Sequence, residues 1–227
     1  MIKVFALIPK RPDISDEQFH AHWLDPHGVL AQKIQTIRRY VQSHGVASPP
    51  PVDGLEPAIY HGIAEVWFDS LEIALGMGAD PNYTEYAGAD EPNFIDVDRL
   101  AFLFADERAE PAEPVGGKDD HPVKTMLLLA RREGVERGRF REALEALLRD
   151  AAGEGIERRA ISTAIAEAHA DAPPPFEGVV ELSFADPASL ERHWRDAGAR
   201  QLSALEAVAD LSSSASLVAE EHRLVWG

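Results

Sequence analysis

The heptapeptide Gly62-Ile63-Ala64-Glu65-Val66-Trp67-Phe68 returns in the second half of the chain as Gly178-Val179-Val180-Glu181-Leu182-Ser183-Phe184. Both copies open on glycine, carry glutamate fourth and close on phenylalanine. Apart from that glutamate each is almost wholly apolar, which reads as a strand buried on both faces. A second, shorter echo lies upstream of each: Arg38-Arg39 parallels Arg158-Arg159, Phe19 parallels Phe140, and Lys3 parallels Lys124. Triple-proline stretches, Pro49-Pro50-Pro51 and Pro173-Pro174-Pro175, precede the two glycine-led strands.

Working outward from these strands gives one order of elements twice. Ile2–Ile8 reads as a strand, and Asp13-Ile14-Ser15-Asp16-Glu17 as a helix N-cap with acids in its first turn. Pro26 should interrupt that helix near its middle. Strands follow over 38–46 and 60–68, a helix from Ser70, and a strand over 100–104. The stretch 107–120 is rich in proline, glycine and charge, so it reads as a linker. Beyond it the order recurs: strand 123–130, helix 135–151, strand 158–165, strand 178–184, helix 187–201, strand 216–226. The expected organisation is a first unit 1–108, a linker 109–121 and a second unit 122–227. Strand–helix–strand–strand–helix–strand is the ferredoxin-like arrangement, with helices on one face of an antiparallel sheet. The bare sheet face needs a cover, and two linked copies can cover each other. The fold class expected is therefore α+β: two tandem ferredoxin-like repeats packed sheet to sheet, as an intramolecular pseudo-dimer with helices outside. Nothing in the pattern speaks against further homodimerisation.

Composition narrows the function. A net charge of −17, from 22 basic and 39 acidic residues, disfavours nucleic acid and anionic membrane surfaces as partners. With no cysteine there are no disulfides, thiolate metal sites or thiol catalysis. No apolar run approaches a membrane span of ~20 residues, and the N-terminal run is cut at Pro9. The expected address is the cytoplasm. No glycine-rich nucleotide loop and no familiar zinc spacing is present, so no cofactor and no metal are expected.

Candidate chemistry concentrates in the first unit, which holds His20, His22, His27, His44 and His61. Phe19, Trp23, His27 and Leu30 recur on one helical face, which turns Trp23 and His27 inward, while His20 and His22 read as exposed. A bland role for His27 is a hydrogen bond to a backbone carbonyl at the Pro26 break. On the second strand Arg38, Tyr40, Gln42 and His44 share one side, and Arg39, Val41 and Ser43 the other. That row is either a solvated edge or one polar wall of a pocket, with Trp67, Tyr60 and Phe68 supplying apolar walls. Glu65 has its counterpart in Glu181, so a structural Arg–Glu pair inside the barrel is expected rather than a catalytic carboxylate. The second unit has Leu144, Leu148, Ala160, Ser162 and Ala164 where the first has Trp23, His27, Tyr40, Gln42 and His44, and so reads as a degenerate partner. The loop 76–93, with Met77, Pro81, Tyr83 and Tyr86, is open to reading as a lid or a surface excursion.

Phe19-His20-Ala21-His22-Trp23, then His27-Gly28-Val29-Leu30, then Arg39-Tyr40-Val41-Gln42-Ser43-His44 resemble the signature of the EthD family, and 62–70 resembles its third strand. The resemblance covers about the first 105 residues. It implies a dimeric α+β barrel and cofactor-independent proton-transfer chemistry on small cyclic or aromatic molecules. The family's polar positions fall on His27, Tyr40, Gln42 and His44. On that basis His27, Tyr40 and His44 are the candidate catalytic residues, and Trp23, Gln42 and Trp67 the candidate substrate-binding residues. The expected function is a lyase or isomerase acting on a small organic molecule. The alternative is a non-catalytic binding or accessory protein of an oxygenase or degradation pathway. A histidine within ~3 Å of a tyrosine, facing an enclosed cavity, separates the first from the second.

Overall fold

A computed structural model describes residues 1–47, 52–113, 115–151 and 155–226; the Pro49-Pro50-Pro51 stretch lies outside the described residues. Its main strands are β1 (Ile2–Ile8), β2 (Arg39–Gly45), β4 (Gly62–Phe68), β5 (Ala101–Glu110), β6 (Val123–Arg131), β7 (Ile156–Ala164), β8 (Gly178–Phe184) and β9 (Ala209–Val225), with a two-residue β3 (Glu56–Pro57) beside β9. They run in the order β2-β4-β1-β5-β7-β8-β6-β9, and β9 pairs back onto β2, closing an antiparallel barrel. The first four main strands lie in the order β2-β4-β1-β5 and the last four in the order β7-β8-β6-β9, and the two sets meet at the seams β5–β7 and β2–β9.

The helices lie outside. In the first half α1 (Asp16–His22) starts at a capping box in which the Ser15 Oγ accepts from the Gln18 N–H and the Gln18 side chain accepts from the Ser15 N–H. Pro26 breaks it as expected, into a wide turn over Trp23–His27 and a short α2 (Gly28–Ala31). Then come α3 (Leu71–Gly76), capped by Ser70, and α4 (Gly88–Asp90) within a run of short turns. The second half has two uninterrupted helices, α5 (Arg137–Asp150) and α6 (Pro187–Leu205). No helix among the described residues is long and apolar enough to cross a membrane.

Side chains alternate along a strand, and β4 and β8 are buried on both faces over their whole length. On the helix side of the first half Phe19, Trp23, Tyr40 and Phe94 form one core, and Phe140, Leu144, Leu148 and Leu205 form its counterpart. Inside the barrel Phe5, Leu7, Ile63, Met126, Leu128 and Leu217 fill one end. The other end is ionic. Lys3 reaches Glu65 at 2.8 Å and Glu181 at 2.6 Å, while Lys124 pairs with Glu65, lies 3.5 Å from Glu181 and 3.1 Å from Glu221. Each lysine thus bridges the glutamates of both halves.

This corrects the expected Arg–Glu pair: Lys3 and Lys124 are the partners of Glu65 and Glu181, because the register sets Phe5 beside Glu65 and Met126 beside Glu181, with each lysine two residues away on the same face. Arg158 pairs instead with Glu107, at 3.2 Å. Glu107 also explains why β5 runs on to Glu110, into the expected linker. Charge there reads as solvation, yet Glu107 faces inward to Lys3 at 2.9 Å, and Glu110 meets Arg159 across β7. Likewise β9 starts at Ala209 rather than near 216, since its serine-rich beginning pairs with the end of β6.

Removing one member of this network strands the rest in a dry interior, at a cost of roughly 3–5 kcal/mol. Lys3→Met is expected to lower the unfolding free energy by about that amount, read from urea denaturation. A loss below about 1 kcal/mol would contradict the assignment of the ionic centre as structural.

Candidate functional site

A cavity opens between the first-half sheet and its helices. It admits the centres of water-sized molecules over about 60 Å³, and its walls are mostly apolar, including Ile34, Ala64, Met77 and Phe102. The polar groups on its wall are Tyr40, His27, Tyr83 and Glu91, together with the Trp23 indole. The glycine that opens β4 makes this possible: a Cβ on Gly62 would run into the Trp23 ring. In the second half Gly178 does the same for Leu144 and Phe140, from which a Cβ would fall 2.8 Å and 2.9 Å. There the aliphatic side chains of α5 and α6 occupy the corresponding space.

Tyr40 projects from β2 toward the helices. The Gln42 Nε2 donates to the Tyr40 oxygen at 2.9 Å and to the Trp23 carbonyl at 2.7 Å. With its oxygen accepting, the phenol is left to donate its own proton into the cavity. Burial pushes the Tyr40 phenol up to about 12, so it stays protonated at neutral pH. The Trp23 N–H lies close enough to favour the Tyr40 anion but makes no hydrogen bond of proper geometry, so this buried donor has no partner among the described residues. The Tyr40 O–H and the Trp23 N–H therefore lie near one another on two side chains that line the cavity.

His27 lines the same cavity. Its Nδ1 lies 3.1 Å from an Asp90 oxygen, and the His22 Nε2 lies 3.0 Å from the other. A carboxylate partner fixes the His27 Nδ1 as the protonated nitrogen and leaves Nε2 with the lone pair. Burial holds His27 below its ordinary 6.5, and Asp90 pulls partly the other way. Glu91 completes the wall: burial pushes its carboxyl up to about 7, although the Tyr83 hydroxyl, donating at 3.0 Å, favours the charged form. A carboxyl poised near neutrality inside a cavity can give or take a proton.

The six residues singled out from the sequence do not all meet. Tyr40, His27 and Trp23 line the cavity. Gln42 stands behind it and holds Tyr40. His44 is one shell further out, with its Nε2 3.0 Å from the Gln42 Oε1, its Nδ1 2.8 Å from the His20 Nδ1, and its ring stacked on Trp23 at 4.3 Å. Trp67 is on the opposite sheet face, where its indole donates to Glu107 inside the barrel, because it alternates with Val66 and Phe68. The polar row on β2 is no solvated edge, since the strand is paired on both sides. His20 and His22 are half-buried rather than exposed, held by His44 and Asp90, and His27 bonds a carboxylate rather than a backbone carbonyl. No histidine forms a hydrogen bond with Tyr40 among the described residues; Gln42 takes that place.

Asp90, Glu91 and Tyr83 were not singled out as chemical groups. They come from the 76–93 stretch, whose short turns after α3 fold over the cavity and place Met77, Tyr83 and Ala87 on its wall. The only clue was composition, aromatic and acidic residues crowded into a loop. Among the described residues one group of side chains could hold a cation: His121, Glu220 and His222 have ligand atoms all within 4.8 Å of one another, beside the β2–β9 seam.

Burial, helped by the neighbouring His222 and His20, pushes His44 down from 6.5 to about 2. A histidine held neutral in the fold contributes stability that is complete above its unfolded value and is lost as pH falls from there toward the folded value. Unfolding free energy is therefore expected to drop with acid below about pH 6.5, by at most about 1.4 kcal/mol per pH unit for this residue. His44→Phe, which keeps a ring on Trp23, should make that slope shallower in denaturant titrations between about pH 7 and 5. An unchanged slope would contradict the neutral state of His44.

The family model of the EthD domain matches residues 11–98. No curated protein matches the chain. Among solved structures, an anthrone oxidase-like protein superposes with a TM-score of 0.66 at 11% identity, covering 98% of this chain and 93% of its own. A protein from Lactobacillus acidophilus NCFM, provisionally described as a monooxygenase, gives 0.54 at 10% identity over 98% and 93%. A mutant chlorite dismutase from Candidatus Nitrospira defluvii gives 0.51 at 8% identity over 98% and 92%. At these identities the likeness concerns the barrel fold.

Proposed function

Taking residues 11–98 as an EthD domain, we propose that this chain is a cofactor-independent enzyme that moves protons on a small cyclic or aromatic molecule held in the first-half cavity. The observation that carries this reading is the pairing of an oriented base with two free donors around one apolar space. His27, steadied by Asp90, takes a proton from carbon next to a carbonyl, or from a phenol, at Nε2. The Tyr40 O–H and the Trp23 N–H hydrogen-bond the oxygen that gains negative charge, as an oxyanion hole does. Glu91, when protonated, returns a proton to the carbon or to a departing hydroxyl, giving an isomerisation or an elimination. Gln42 and His44 are positioning residues that hold Tyr40 and Trp23.

The same reading makes 1–108 and 122–227 two ferredoxin-like copies joined by 109–121, the second having lost its cavity. Matching register positions support a duplication: Lys3 faces Trp67 and Ala105 as Lys124 faces Ser183 and Ala219. The non-catalytic alternative, a binding or accessory protein of an oxygenase or degradation pathway, draws on two observations. No histidine bonds Tyr40 among the described residues, and the cavity, at about 60 Å³, is small beside the ~300–1,000 Å³ of drug-sized sites.

A panel of phenols, quinones, lactones and aromatic acids, screened by thermal shift and then assayed for turnover, tests both. For the ligand that binds, Tyr40→Phe should lower kcat by roughly 10²–10³ with KM little changed, as expected when an oxyanion donor is removed. His27→Gln should abolish turnover while the unfolding midpoint without ligand moves little. Binding with no turnover in the wild type would favour the accessory role, and equal kcat in Tyr40→Phe would remove the phenol from the mechanism.

A further inference from the structure

The ionic end of the barrel carries a cation that its surroundings leave unanswered. By register the two halves supply matching groups there: Lys3 and Lys124, Glu65 and Glu181, and Glu107 and Glu221, the last two each lying two residues past the alanine that faces a lysine. Arg39 faces Trp67 across β2–β4 as Arg158 faces Ser183 across β7–β8. Arg158 has its carboxylate, Glu107. The matching partner for Arg39 would be Glu221, but Arg223 has taken it, with Nε 3.1 Å from a Glu221 oxygen. Arg223 has no counterpart in the first half, where Ala109 stands two residues past Glu107.

The result is an imbalance. Lys3, Lys124, Arg39, Arg158 and Arg223 face only Glu65, Glu107, Glu181 and Glu221 in the buried cluster, five cations against four carboxylates. Glu181 deepens it, since burial and the nearby Glu65 hold its carboxyl up near about 7. Asp120, Glu157 and Glu113 stand at the rim but are exposed; Glu113 favours the Arg39 charge from beyond ion-pair distance, and Asp120 comes no nearer than 3.9 Å to Arg223. Arg39 itself is only 6% exposed, forms no ion pair among the described residues, and has an Nε without a hydrogen-bond partner. Its guanidinium lies between two indoles, 5.0 Å from the Trp67 ring and 5.2 Å from the Trp226 ring. Beside it is a small void of about 20 Å³, enough for one or two waters or one small ion. The segment before β6 roofs it, where the Trp226 indole donates to the Gly116 carbonyl and Arg223 to that of Gly117.

We propose that this pocket binds a small planar oxyanion, a carboxylate of formate size, with Arg39 as its principal ligand and Trp67 and Trp226 as its walls. A guanidinium offers two parallel N–H groups to such an anion, and the indole faces hold both in plane. The site is separate from the first-half cavity, on the other face of the same sheet.

The test is the melting temperature of the full chain titrated with sodium formate against sodium gluconate, too bulky to enter, at constant ionic strength. Formate should give the wild type a saturating rise of about 2–4 °C. Arg39→Met should show no formate-specific rise while being at least as stable as the wild type in gluconate, because it deletes an unpaired buried charge. Arg223→Met should also lose the response, since Glu221 is then free to answer Arg39. Tyr40→Phe should keep it, which separates this site from the proposed enzymatic one. No formate-specific rise in the wild type, or an equal rise in Arg39→Met or Arg223→Met, would overturn the proposal.

Discussion

The interaction on which the molecule depends is the crossing of two lysines and two glutamates inside the barrel. Lys3 of the first half reaches Glu181 of the second, and Lys124 of the second reaches Glu65 of the first. The backbone pairing that closes the barrel sets the register, and a dry ion pair tolerates only that one. Fixing that register also fixes which side chains of β2 and β4 face the helices, because a slip of one residue would exchange the faces. Tyr40 and Gln42 keep their position under α1 through the pairing of β2 with β4 and β9, with the ionic contact on the far side of the same sheet.

Around this centre the two halves differ in what their helices do. Gly62 lets a tryptophan lie on the strand, and the break at Pro26 turns the chain so that His27 faces inward. The short turns of 77–93 then bring Tyr83, Asp90 and Glu91 over the opening. In the second half Gly178 admits Leu144 and Phe140, α5 runs unbroken, and the space fills with hydrocarbon.

Much of this is legible in the residues. The two Gly…Glu…Phe heptapeptides, the alternation on β2 and the Phe19–Trp23–His27 face are periodic signals, and periodicity survives folding. The two-sided burial of β4 put Trp67 in the wrong room, because an alternating strand cannot say which face meets which layer. The charge of 107–110 read as a linker because its partners, Lys3, Arg158 and Arg159, are remote in sequence. Asp90 and Glu91 lie in a stretch with no period at all. Their roles arise from tertiary placement alone, and the burial that lifts Glu91 toward neutrality has no local trace.

The most direct test of a small-molecule site in the first half is crystallographic. Crystals soaked in a bromophenol and measured at the bromine absorption edge would locate a ring by its anomalous signal, with no reaction needed. A single bromine in the first-half cavity, with the phenolic oxygen within hydrogen-bond reach of the Tyr40 hydroxyl and the Trp23 N–H, is the expected result. Bromine absent from that cavity, or found equally beneath α5 in the second half, would contradict the account.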